Sequence, residues 1–223
     1  MDLNKSRDFF DPNKVNKQCH VIGCGSIGSN VAELLIRYGI KNITLWDMDI
    51  VESHNIANQL FTEEHIGKKK TEALAEILYN INPETKNTLT LKGECTSTAI
   101  LNGYVFMCVD NVEVRKAIVD NNIYNKAIEA VFDFRTTLLQ GQCYYADWHK
   151  MLDKKSLQTS LDFSHDEAKE NTPVSACGFE LSVSPVVRMT AQMGIVNFTN
   201  LINTQEVKHL FICEPYSYFF EAM

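Results

Sequence analysis

From Cys19 to Asp133, short apolar runs alternate with longer stretches that are apolar only at every third or fourth position. The first run, Cys19 to Ile22, leads to a segment from Ser26 to Tyr38 in which Val31, Leu34, Leu35 and Tyr38 share one helical face, and Gly39 ends it. A second run, Asn42 to Trp46, gives way to a polar, asparagine-rich loop from Asp47 to Thr62. Past Gly67 a second helix carries Leu74, Ile77, Leu78 and Ile81 on one face until Pro83 stops it. Thr88 to Leu91 reads as a third strand. Tyr104 to Val109 is apolar throughout, as a parallel strand buried on both faces is. A helix from Val112 to Tyr124 and a strand from Ala127 to Phe132 complete five β-α repeats. The alternation predicts an α/β fold, a mostly parallel sheet with helices on both faces.

Beyond Asp133 the pattern changes. Arg135 to Leu139 and Gln142 to Trp148, separated by Gly141, read as an antiparallel strand pair added to the sheet edge. Lys150 to Pro173 is polar with no apolar period, and is expected to be a long loop with at most a helical turn. Pro185 sits in the first turn of a helix running to about Leu201, and the aromatic tail from Val207 to Met223 reads as a strand or a packing arm. One domain over residues 1–223 is expected. Residues 18–133 supply the repeats; 134–223 supply the sheet extension, a crossover loop and a C-terminal helix.

Composition narrows the function classes. A chain of 223 residues, 45% hydrophobic and 22% charged, can bury one sizeable core. A formal charge of -7 leaves no broad basic face, and the cationic run Lys68-Lys69-Lys70 sits at a helix start, so nucleic acid is not an expected partner. No stretch approaches the roughly twenty apolar residues of a membrane helix. Met1 to Gln18 is polar, unlike a signal sequence, so a cytoplasmic protein without membrane contact is expected. Seven cysteines are scattered with no C-x-x-C pair, which argues against a disulfide framework and against a zinc site.

The chemistry concentrates at strand ends. Gly23-Cys24-Gly25-Ser26-Ile27-Gly28 places G-x-G-x-x-G between the first strand and its helix. Gly23 allows the tight turn, Gly25 lets backbone approach a phosphate, Gly28 lets helix pack on strand, and the helix starting at Ser26 turns unpaired N–H groups toward an anion. Asp47 and Asp49 follow some twenty residues later, Asp47 placed to accept from ribose hydroxyls. This is a nucleotide site on a Rossmann-like sheet. Ligands in such sheets lie past the carboxyl ends of the strands, so Gly23 to Gly28, Asp47 to Gln59 and Asp110-Asn111 should converge. Asp110 has two readings, a carboxylate that organises a divalent cation beside phosphates or a cap on the helix at Val112. Lys70 can reach a phosphate as a point charge, whereas Lys68 and Lys69 read as a solvated face, and His54 and His65 as loop and cap residues. The motif alone admits NAD or ATP. Hydride transfer would require a second domain to present substrate, and only about ninety residues remain after the repeats.

Taken in order, the pieces G-C-G-S-I-G, D-M-D-I-V-E-S-H-N-I-A-N-Q, H-I-G-K-K-K-T-E-A, V-D-N-V-E-V-R, L-L-Q-G-Q and P-V-S-A-C-G-F-E-L-S-V-S-P-V-V resemble the ThiF/MoeB/ubiquitin-activating enzyme superfamily from Cys19 to about Ile202. The resemblance implies ATP-dependent adenylation of the C-terminal glycine of a ubiquitin-like or small carrier protein, by a homodimer using ATP and Mg2+. By position it assigns Asp47 to ribose, Asn55 and Gln59 to polar contacts with ATP, Lys70 to the phosphates through the transition state and Asp110 to magnesium. Cys177 falls where relatives carry a reactive cysteine, implying a thioester step. Two departures stand out. Asn58 occupies the place of the arginine in the family's N-L-x-R-Q, removing a cation; Arg7 is a candidate replacement supplied to the neighbouring subunit. The family's zinc-binding cysteine pairs are absent. Two other readings follow: a catalytically degenerate nucleotide- or protein-binding module marked by Asn58, and a small NAD-dependent oxidoreductase.

Overall fold

In the computed structural model, residues 1–95, 98–164, 173–174 and 181–223 are described. Eight strands form one sheet: β1 (Cys19–Ile22), β2 (Ile43–Trp46), β3 (Thr90–Lys92), β4 (Gly103–Met107), β5 (Ile128–Thr136), β6 (Gly141–Asp147), β7 (Leu210–Glu214) and β8 (Phe219–Ala222). Their spatial order is β3-β2-β1-β4-β5-β6-β7-β8. The first five run parallel, with Cys19 opposite both Ile43 and Tyr104, and the last three are added antiparallel. The parallel sheet and its antiparallel extension match the expectation from the sequence.

The helices divide between two cores. On one face, α1 (Ser26–Arg37), α2 (Lys70–Ile81) and α5 (Ser184–Ile202) close over Val21, Leu45, Phe106 and Phe132; Phe198 of α5 meets Phe106 edge-on at 5.3 Å between ring centroids. On the other face, α3 (Val112–Asn122) and α4 (Met151–Thr159) cover Ile22, Val105, Met107 and Val131. Every residue of β1 is buried, as a central parallel strand requires, whereas β3 and β8 at the two sheet edges are exposed throughout.

Three boundaries differ from the sequence reading. The expected loop after Lys150 contains α4. Its inward face carries Asp153 and Lys154 beside Leu157, so no apolar period marks it; Lys154 Nζ donates to the Ile123 carbonyl at 2.7 Å over the Trp148 ring, and Asp153 accepts from the Asp147 N–H at 3.1 Å. Arg135 to Leu139 is not a separate strand. β5 continues through Asp133 to Thr136, because Asp133 is neutralised inside the fold by Arg115 and Arg135. The aromatic tail forms two strands, β7 and β8.

Candidate functional site

β1 runs into the glycine turn. Gly23 has φ +89° and donates its N–H to the Trp46 carbonyl at 2.8 Å; a Cβ there would lie 2.9 Å from the Cys108 and Val109 backbone. A Cβ on Gly28 would lie 1.8 Å from the Gly23 carbonyl oxygen. Those two glycines fix the turn between β1, α1 and the end of β4. Gly25 differs, for a Cβ there would meet no atom within 4 Å among the described residues. It is the N-cap of α1, and among the described residues no side chain caps the helix. The helix start, with its partial positive charge, therefore faces open space, as an anion site at a helix N-terminus requires.

Asp47 ends β2. Its carboxylate accepts from the Cys24 N–H at 2.6 Å and the Asp49 N–H at 2.8 Å, tying the loop after β2 to the glycine turn. Burial raises its pKa, and the two backbone bonds and Lys70 act in the opposite direction. A carboxylate has about four acceptor positions, so ribose hydroxyls still find capacity there. Lys70 opens α2, largely buried, with Nζ 2.8 Å from Asp49. Asn55 accepts from the Glu52 N–H at 2.9 Å and closes a short 3₁₀ turn, while the buried Gln59 Oε1 has no hydrogen-bond partner among the described residues. At the end of β4, Asn111 rather than Asp110 caps α3, accepting from the Glu113 and Val114 N–H groups at 2.9 and 3.1 Å. The Asp110 side chain is exposed toward the cleft.

These segments enclose one cleft of about 970 Å³, which Gly23, Gly25, Ser26, Asp47, Asp49, Asn55, Gln59, Lys70 and Asp110 all line. Gly28 stands behind the turn. The electrostatics are unusual for an anion site, because among the described residues Asp47, Asp49, Glu52, Glu94 and Asp110 face one lysine. Among the described residues a polyphosphate there would meet Lys70 as its one lysine. Among the described residues no three His, Cys, Asp or Glu side chains cluster as a metal cage. The exposed Asp110 beside a phosphate cradle instead fits a magnesium ion held by one or two carboxylates and phosphate oxygens. The open Gly25 cradle, the uncapped helix and the orphaned Gln59 oxygen fit a nucleotide.

The remaining candidates fall elsewhere. Lys68 and Lys69 pair with Glu76 and Glu72 on the surface, and His65 Nδ1 accepts from the Thr62 N–H at 3.0 Å as a cap. Arg7 is exposed and does not line the cleft. Its segment packs at the C-terminal end of α1, where Phe10 meets Tyr38 and Asn203 donates to the Phe9 carbonyl, about 18 Å along the helix from the glycine turn. Cys177 lies outside the described residues. Burial pushes up the thiol pKa values of Cys19, Cys24, Cys108 and Cys143, and that of Cys95 to about 11. Sequence reasoning missed Trp46 and the Glu94–Cys95 segment, which also line the cleft. The rule that ligands gather past strand ends, applied to β3 as well as to its neighbours, would have found Glu94.

A family model described as the ThiF family matches residues 13–218. Ubiquitin-like modifier-activating enzyme 5 of Arabidopsis thaliana is 34% identical over 118 residues, 44% of this chain and 27% of the relative. The Dictyostelium discoideum enzyme of the same name is 38% identical over 114 residues, 44% of this chain and 30% of the relative. The chain thus spans under a third of these relatives. Among solved structures, E. coli MccB with ATP has a TM-score of 0.71 at 16% identity, covering 95% of this chain and 65% of that one, and PaaA has 0.69 at 16%, covering 100% and 68%. At that identity the likeness is one of fold.

Proposed function

Given that the chain belongs to the ThiF family, we propose that it uses ATP to adenylate the C-terminal glycine of a ubiquitin-like or small carrier protein. The observation that carries this reading is the convergence of the open Gly25 turn, Lys70 and Asp110 on one cleft. The fold neighbour MccB adds support, since its structures include complexes with ATP and with AMPCPP.

In this reading the Gly25 turn and the first N–H groups of α1 take phosphate oxygens, and Asp47 holds the ribose. A carboxylate oxygen of the carrier tail bonds to the α-phosphorus while the bridging bond to the β-phosphate breaks, and pyrophosphate leaves with that electron pair. Lys70 turns from Asp49 toward the charge gathering on the phosphates, a contribution of a few kcal/mol in a dry site. Asp110 is the residue that would hold magnesium, and the ion would supply Lewis-acid charge compensation to the phosphates. The attacking carboxylate is already ionised, so no general base is required. The acyl group then passes to the Cys177 thiolate, whose sulfur bonds the acyl carbon as AMP leaves. The whole chain acts as one domain, and as a homodimer in which Arg7 of one copy serves the cleft of the other.

ATP–pyrophosphate exchange with candidate carriers is the test. Exchange should depend on Asp110 and Lys70 and survive Cys177→Ala, which should lose only a thiol-labile adduct. Absence of exchange with every carrier, together with ATP binding unchanged in Asp110→Ala, would refute it. The second reading, a binding module with a decayed site, is favoured by Asn58 and by the five carboxylates that face one lysine among the described residues. Asn58→Arg separates the two: gain of adenylation by an inactive parent marks decay, and an active parent excludes it.

A further inference from the structure

Behind the cleft, outside its lining, lies a chain of three charged side chains. Asp133 of β5 is completely buried between two guanidinium groups, Arg115 of α3, which pairs with one carboxylate oxygen, and Arg135, 2.7 Å from the other. Arg115, itself buried, also donates to the Val109 carbonyl and, at 2.7 Å, to that of Phe134. Arg135 reaches the other way. It donates to the carbonyl and hydroxyl of Ser160 at 2.8 Å each, where α4 ends, and stacks over Tyr144 with 4.2 Å to the ring centroid.

Buried ion pairs are weak sources of stability, since desolvation consumes most of their attraction. What this one delivers is a fixed peptide. The Val109 carbonyl belongs to the peptide unit that joins Val109 to Asp110, and restraining it sets the backbone direction from which the Asp110 side chain leaves the turn between β4 and α3. We propose that Arg115, oriented by Asp133, is a positioning residue that aims Asp110 into the cleft, and that Arg135 extends the restraint to the end of α4. The proposal rests on Asp110 serving magnesium-bound nucleotide, as in the reading above. A lysine cannot replace Arg115, because one ammonium does not present the planar fork that spans Asp133 and two carbonyls.

The experiment compares ATP affinity by calorimetry with and without magnesium, the ratio being the magnesium gain, and uses the full chain. Asp110→Asn should abolish the gain. Arg115→Lys should cut it about tenfold, as loss of a supporting hydrogen bond at a metal ligand does, while AMP affinity without magnesium stays within twofold. A merely structural role would instead lower AMP affinity together with ATP affinity and leave the magnesium gain unchanged. Arg135→Gln, a milder change that keeps the Arg115–Asp133 pair, should lower the gain and covers the case in which Arg115→Lys does not fold. A wild-type gain in Arg135→Gln and in folded Arg115→Lys overturns the inference, as does a loss of AMP affinity as large as the loss of ATP affinity. If the wild type binds no ATP under either condition, the adenylation reading falls with it. An Asp110-dependent gain untouched by either arginine sinks this inference alone.

Discussion

Two glycines three residues apart should fail in opposite ways when given the same methyl group. At Gly28 a Cβ lies 1.8 Å from a backbone carbonyl oxygen, a contact that no rotamer relieves. Overpacking of this kind costs about 1–3 kcal/mol, and the upper end applies because the obstacle is backbone; the gain of about 1 kcal/mol from alanine in a helix offsets part of it. A net loss of about 2 kcal/mol lowers the melting temperature by roughly 4–8 °C in a chain of this length. At Gly25 the same group meets nothing within 4 Å and φ is -76°, so melting should move by no more than about 2 °C. The methyl group instead stands where a phosphate would meet the helix start. ATP affinity should fall at least tenfold, about 1.4 kcal/mol or more. Thermal melts and calorimetric titration with ATP, run on Gly25→Ala and Gly28→Ala, read both quantities. A Gly25→Ala protein that binds ATP like the wild type refutes the phosphate cradle, and a Gly28→Ala protein that melts like the wild type refutes the packing argument.

The raised pKa of Asp47 makes the folded state hold a proton more tightly than the unfolded chain, so its contribution should weaken stability as pH climbs from its ordinary 3.8 through the raised value and stay constant above. Asp47→Asn should flatten that part of the melting profile measured from pH 4 upward; an unchanged slope would place the titration elsewhere. Trp148 is buried and donates its indole N–H to the Asn122 carbonyl at 2.8 Å, so Trp148→Phe leaves an acceptor unpaired and a void, and denaturant titration should show a loss of about 2–4 kcal/mol. With its thiol held near 11, Cys95 is thiolate in roughly one molecule in 3,000 at pH 7.5, and Cys19, Cys24, Cys108 and Cys143 are still less ionised. Brief alkylation of native protein followed by peptide mass spectrometry should therefore leave these five unmodified; rapid labelling of any of them would show that its burial is transient.

The repeats up to β4 are legible in the sequence because strands buried on both faces must be written in apolar letters, and β1, β2 and β4 fall within two residues of their expected ends. The glycine turn is legible for a related reason, since its requirement is on the backbone and only one residue type satisfies it. The charged interior is not. Asp133, Arg135, Asp153 and Lys154 read as solvent-facing until the fold supplies Arg115, Ser160 and the Ile123 carbonyl from distant parts of the chain. The acidity of the cleft is hidden likewise, because Glu52, Glu94 and Asp110 belong to three different strand ends. Which residue caps α3 turned on one position, and the side-chain geometry of Asn111 decided it.

The place of β1 in the sheet has a consequence for synthesis. Its two neighbours are β2, close behind it in sequence, and β4, which ends about 85 residues after β1 does. At roughly 5–20 residues per second, a ribosome takes about 4–17 s to deliver that second neighbour. For that interval the nascent chain carries an apolar ribbon with one flank unpaired. Holding it apart from other nascent chains is a task for chaperones rather than for any interaction seen in the finished molecule.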